Sequence, residues 1–186
     1  MTEITDITRP QGIDRFILYW GDMGSQWGVN RSVAQVHALL YLAPEPMHAE
    51  QIAHALGIAR SNVSNSLKEL VAWRLIRRVP IAGDRREHFA AEVDLWEMAL
   101  RIAQGRRERE IDPAKLAIAE CVALAQGDAS VDPVAMQRLT EMQRFLDETT
   151  HWYDQMRDVP TSQLKRLLGL GDKVIRLLKF AGANKK

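Results

Sequence analysis

Positions 51–70 read QIAHALGIARSNVSNSLKEL, two short runs of helical apolar periodicity separated by one glycine. Ile52, Ala53 and Leu56 share a face of the first run, and Val63, Leu67 and Leu70 share a face of the second. Gly57 suits the left-handed position that ends a helix, and Ala53 is small enough to let two helices cross closely. Two short helices joined by a tight, glycine-containing turn make a helix-turn-helix. Runs this short are not stable helices alone, so the remaining chain has to build a core around them.

What it supplies is mostly helix. Phe16, Ile17, Trp20, Met23 and Trp27 recur at helical spacing and predict a helix over 13–26. Asn30 caps a second helix, lined by Val33, Val36, His37, Leu40 and Tyr41 and stopped by Pro44 and Pro46. The helix-turn-helix follows as helices over 49–56 and 60–73. The period then changes from 3.6 to about 2: residues 75–80 and 87–91 flank Ala82, Gly83 and Asp84, which predicts a β-hairpin. Asp94 caps a fifth helix to about residue 109, broken before Asp112 and Pro113. A sixth helix spans 113–126, Pro133 opens a seventh to about 157, and a final helix or helix pair, interrupted at Gly169 and Gly171, follows Pro160. The expected fold is mainly α with a small β-wing: a winged helix-turn-helix over 13–112 and a helical dimerisation and effector region over 113–186. In the latter, Leu164, Leu167, Leu168, Val174, Leu177 and Leu178 have the spacing of an interface face.

The single cysteine, Cys121, cannot close a disulfide within the chain. That excludes a disulfide-stapled secreted scaffold and points to a reducing, cytoplasmic setting, with the thiol itself expected in a helix core. The first ten residues lack the apolar core of a secretory signal, and every apolar run is far shorter than the roughly 18 residues of a membrane span. No membrane partner is expected. The formal net charge of +1 hides a segregation. Residues 60–90 hold seven Lys/Arg against three acids, 113–160 hold four against eight, and 161–186 hold seven against one.

The basic middle segment coincides with the helix-turn-helix. Opposite Val63, Leu67 and Leu70, the second helix carries Ser61, Asn65, Lys68 and Ala72, flanked by Asn62 and Ser64, with Arg60 at its head. Amides bind adenine bidentately in the major groove, serines bond bases or phosphates, and lysine neutralises phosphate. A helix packed on a protein partner would instead centre Leu, Met, Tyr or Trp on that face, so duplex DNA is favoured over the alternative of a winged-helix protein-interaction module. Arg85 and Arg86 lie at the hairpin's far end, where arginine suits the negative potential of a minor groove. Arg74, Arg77 and Arg78 are weaker candidates.

The order of helix, helix-turn-helix and wing with Gly83-Asp84-Arg85-Arg86 resembles the MarR family of winged-helix transcription regulators. The segments GVNRSVAQVHALLYL (28–42), ARSNVSNSLKEL (59–70) and GDRREHF (83–89) are similar to its GbsR-like branch. The resemblance covers residues 13–112. It implies a homodimeric DNA-binding regulator, repressor or activator, joined through its outer helices, and for some members of that branch a response to choline or glycine betaine. The chain departs from the family pattern at Ala72, Trp73 and Arg74, where many relatives place glycine after the recognition helix.

Five tryptophans invite a ligand reading, because aromatic faces hold a quaternary ammonium by cation–π attraction. Trp20, Trp27 and Trp96 are the candidate effector contacts, with Tyr19, Phe145, Trp152 and Tyr153 as further members of a cage; the bland alternative is that these aromatics are core. The five histidines show no zinc-ligand spacing, no phosphate loop occurs, and no nucleophile pattern accompanies the acids. Neither a metal, nor a cofactor, nor an enzymatic activity is expected.

Overall fold

The computed structural model describes residues 9–157, 159–164, 166 and 170. It divides after Gly105 into two compact units. The first is built round one helix. α1 (Gln11–Gln26) leads to α2 (Arg31–Leu42), whose start is capped by the Asn30 side chain accepting from the Ser32 N–H at 2.9 Å. From Val33 to Leu40 every α2 residue except Gln35 is buried, because α2 packs against α1, α3 (Ala49–Leu56), α4 (Arg60–Ala72) and the third strand. α1 lies close on α2 at Gly24, where a Cβ would stand 2.6 Å from that of Ala34.

The short strand β1 (Met47–His48) precedes α3, and β2 (Ile76–Ile81) and β3 (Asp84–Ala91) form the hairpin. The sheet order is β1-β3-β2, all antiparallel. The hairpin is where the sequence places it, whereas β1 has no periodic signal of its own. It exists because β3 offers it a ladder, pairing Met47 with Phe89 and His48 with His88. Ile17, Val36, Ile52, Val63, Leu67, Leu70, Ile76 and Phe89 join into one core to which all these elements contribute. α5 (Leu95–Arg106) opens on Asp94, whose carboxylate accepts from the N–H groups of Trp96 and Glu97.

The expected break before Asp112 is absent. Past Arg106 the backbone continues through one π turn, Arg107–Ile111, into α6 (Asp112–Gln126), with both Ile111 and Asp112 in helical conformation. Pro113 has no N–H to give, and the wider turn accommodates it without ending the helix. α6 and α7 (Pro133–Arg157) pack together in the second unit. Arg107 pairs with Asp112 and Asp154 and lies over the Tyr153 ring, and Lys115 pairs with Asp147 at 2.8 Å. Of the apolar side chains here only Val122 is buried among the described residues, and Leu116, Leu124, Val134, Met142, Phe145 and Trp152 are exposed. Cys121 is exposed too, correcting the expected core thiol: α6 is apolar on more sides than α7 covers. Most of the final helical segment, including Leu167, Leu168, Val174, Leu177 and Leu178, lies outside the described residues. No described helix is long and apolar enough to cross a membrane.

α2 carries one buried titratable group. Burial lowers the His37 imidazole from 6.5 to about 4, and its Nε2 has no hydrogen-bond partner among the described residues. The unfolded chain therefore takes a proton here below about pH 6.5, and the folded chain does not until about pH 4. Stability should be full above pH 6.5 and fall by about 3 kcal/mol from this residue as the pH drops to 4. Denaturant midpoints measured across that window should show the slope shrink by this amount in His37→Gln, whatever its absolute stability.

Candidate nucleic-acid interface

Burial of Val63, Leu67 and Leu70 fixes which way α4 faces. Arg60, Ser61, Asn62, Ser64, Asn65 and Lys68 are all exposed. The structure divides them. Arg60, Ser64 and Lys68, spaced at one helical turn, line a cleft of about 260 Å³ between α3, α4 and the hairpin. Asn62 and Asn65 instead line a polar hollow of about 170 Å³ beside Asn30 and Ser32 at the head of α2. Arg60 meets Glu50 at 3.1 Å. Asn62, Asn65 and Lys68 have no side-chain partner among the described residues.

Pro80 shapes the wing. Ladder pairing runs from Ile76 opposite Ala91 to Val79 opposite His88, then resumes only at Ile81 opposite Asp84, so Pro80 alone faces Arg85, Arg86 and Glu87. A proline has no N–H for the ladder, and the facing residues bulge out of it. Gly83 turns the chain at φ +83°. The two arginines expected at the tip behave differently. Arg85 is exposed and without an ion-pair partner among the described residues. Arg86 is held by Asp84, whose carboxylate accepts from the guanidinium Nε at 2.9 and 3.0 Å and from the Arg86 N–H. That guanidinium, and next the backbone N–H, keep the Asp84 carboxyl well below the usual carboxylate range. Arg86 thus lines the cleft, together with Arg78, which meets Glu87 at 2.9 Å. Arg78 rises from a weak candidate on the sequence to a cleft residue here.

His48 ties the wing to the helix-turn-helix. Its Nδ1 accepts from the Gln51 N–H at 3.3 Å, and the Gln51 carboxamide oxygen accepts from the His48 N–H at 2.9 Å, a capping box with histidine at its head. Its ring meets that of His88 edge-on at 5.4 Å across β1 and β3. Burial first, then Arg86 and His88, lower the His48 pKa, which keeps Nδ1 free to accept.

The aromatic candidates do not gather at one place. Trp20 stacks on Phe16 at 5.5 Å and lines an apolar cavity of about 180 Å³ with His37, Tyr41, Leu95 and Met98. Trp27 is exposed at the end of α1, and Trp96 is half-buried at the start of α5; neither lines that cavity.

Residues 27–87 match the family model described as MarR family. Those residues fold as a winged helix, with α3 and α4 followed by the β2–β3 hairpin. The chain is 33% identical over 109 residues to the HTH-type transcriptional regulator MmpR5 of Mycobacterium tuberculosis, a match covering 58% of this chain and 61%, about three fifths, of that relative. It is 20% identical over 132 residues to the HTH-type transcriptional repressor OpcR of Bacillus subtilis, covering 69% and 71% of the two. Among solved structures, that of a transcriptional regulator superposes with a TM-score of 0.55 at 25% identity, covering 78% of this chain and 95% of the other.

In this winged helix the turn after α4 falls to Arg74, at φ +58°. Its N–H bonds the Val71 carbonyl and the Leu75 N–H bonds the Leu70 carbonyl, the two bonds of a Schellman ending, which calls for a left-handed residue there. The turn is braced from α5: Arg101 donates to the Arg74 carbonyl, and a Cβ at Gly105 would stand 2.6 Å from the Trp73 ring. A side chain in this conformation costs about 1–2 kcal/mol, and glycine gives back part of that as unfolded-chain entropy. Arg74→Gly should stabilise the protein by about 0.5–1 kcal/mol; a lower melting temperature would show that the Arg74 side chain contributes something the turn geometry does not.

Proposed function

We propose that the protein is a DNA-binding transcriptional regulator acting as a homodimer, with α4 in the major groove and the wing against the flanking minor groove. One observation carries this: α4 is held by its buried stripe so that an exposed, uncommitted Asn, Ser and Lys face points outward. Asn62 and Asn65 suit adenine edges, Ser61 and Ser64 suit bases or phosphates, Arg60, Lys68 and Arg86 suit phosphates, and Arg85 suits the minor groove. Repression is the proposed mode of action, as the Bacillus subtilis relative OpcR is a transcriptional repressor, and segments 28–42, 59–70 and 83–89 are the ground for proposing a GbsR-like MarR regulator. Residues 13–112 serve DNA binding and 113–186 serve dimerisation in the cytoplasm. The exposed Leu116, Leu124, Phe145 and Trp152 support the latter, since a helix pair burying so little apolar surface gains from cover by a second copy.

The operator should be a pseudo-palindrome with half-site centres about 10 base pairs, or a multiple, apart. In gel shifts, Asn65→Ala should relax preference at one position per half-site by about 1–3 kcal/mol, while Arg85→Ala should weaken all sequences alike and flatten the salt slope by about one charge. A protein that light scattering finds strictly monomeric, or that shows no salt-sensitive duplex binding, contradicts the reading.

The aromatic cavity is the site we assign to an effector, a quaternary ammonium compound held on the faces of Phe16, Trp20 and Tyr41 beside a neutral His37. Such a ligand regulates only by binding one arrangement of the dimer better than another. Titration calorimetry with choline and glycine betaine should give heat that Trp20→Ala abolishes and Trp27→Ala preserves; equal heat in both variants removes the cavity from the account.

A further inference from the structure

The cleft between α3, α4 and the wing holds four cations, Arg60, Lys68, Arg78 and Arg86, and two acids, Glu50 and Glu87. Three of the four cations are paired, and the pairs are of two kinds. Arg86 is gripped by Asp84 through several hydrogen bonds, and the Asp84 side chain is only 21% exposed. Arg60 with Glu50 and Arg78 with Glu87 make ion-pair contacts at 3.1 and 2.9 Å, between side chains that are all more than half exposed. Exposed pairs of that sort contribute little to stability and are readily exchanged. Lys68, which lines the same cleft, has no partner among the described residues.

A phosphate group offers several charged oxygens to guanidinium forks and an ammonium, a better match than one carboxylate per arginine. Arg60 and Lys68 stand two turns apart on one wall with Ser64 between them, and Arg78 and Arg86 come from the hairpin on the other. We infer that this cleft is a phosphate site guarded by its own carboxylates: a backbone phosphate of duplex DNA displaces Glu50 from Arg60 and Glu87 from Arg78, while Asp84 keeps Arg86 in place. The inference rests on the DNA-binding reading and deepens it. The two glutamates act as internal competitors that set the sequence-independent part of the affinity. Their release on binding lets them take up solution cations, which offsets part of the counterion release from DNA and makes the salt dependence shallower than the number of basic contacts implies.

The test is anisotropy of the full-length protein with duplex DNA of arbitrary sequence, between 50 and 200 mM chloride, roughly the range over which such binding responds to salt. Glu50→Gln and Glu87→Gln should each tighten binding about threefold to tenfold and steepen the salt slope, and Arg78→Ala should weaken binding and flatten it. The Glu87→Gln gain should vanish in Arg78→Ala/Glu87→Gln, because the glutamate acts through that arginine. Asp84 is left untouched, so the wing keeps its shape. No salt-sensitive duplex binding by the wild type overturns the DNA-binding reading and this inference with it. Duplex binding that both glutamine variants leave unchanged, or a Glu87→Gln gain that persists without Arg78, overturns the inference alone. Competition by inorganic phosphate beyond that of chloride at equal ionic strength assigns the cleft to a free phosphate and overturns the backbone assignment.

Discussion

The burial of α2 on nearly every side is the constraint on which the rest of the first unit depends. Seven of its residues, from Val33 to Leu40, lie out of water, and a helix without a polar face has to be covered from several directions at once. α1 closes over one side by way of Gly24, α3 and α4 over another, and β3 supplies Phe89. Because Val63, Leu67 and Leu70 are committed to this core, the polar residues of α4 have only one direction left. The outward face of α4 is thus a by-product of how α2 is buried.

The helix ends of the first unit were legible where each is specified locally, whereas the end expected before Asp112 was not there because a π turn carries the helix on. Asn30 and Asp94 cap as their types suggest, and Gly57 ends α3 in the left-handed region. What was hidden depends on partners far apart in the chain. β1 is two residues long and meets β3 some forty positions later, a pairing no period of its own could announce. Arg78 and Glu87 come together only once the hairpin has formed, and Glu50 meets Arg60 only across the turn of the helix-turn-helix. The exposure of Cys121 was hidden for the opposite reason: an apolar helix reads as core whether or not something covers it.

Charge counting along the chain captured the basic character of residues 60–90 and missed its organisation. Subtracting Asp84 and Glu87 treats them as equal, yet one is built into the hairpin through Arg86 and the other lies in an exposed pair with Arg78. The same distinction separates Arg85 from Arg86, neighbours with identical chemistry. A formal sum records valence, and the surface responds to which charges are already spoken for by firmly held partners.

The bulge opposite Pro80 has a consequence for how this wing can vary over evolutionary time. In a regular hairpin, inserting or deleting one residue near the turn reverses the direction of every side chain beyond it. Here the ladder is interrupted between Val79 and Ile81, and the stretch from Arg85 to Glu87 lies outside strict pairing. The bulge therefore works as a slack segment that absorbs a change of length at the tip without moving His88 and Phe89 off the core. The wing tip is free to diversify while the strand that anchors β1 and the helix-turn-helix keeps its phase.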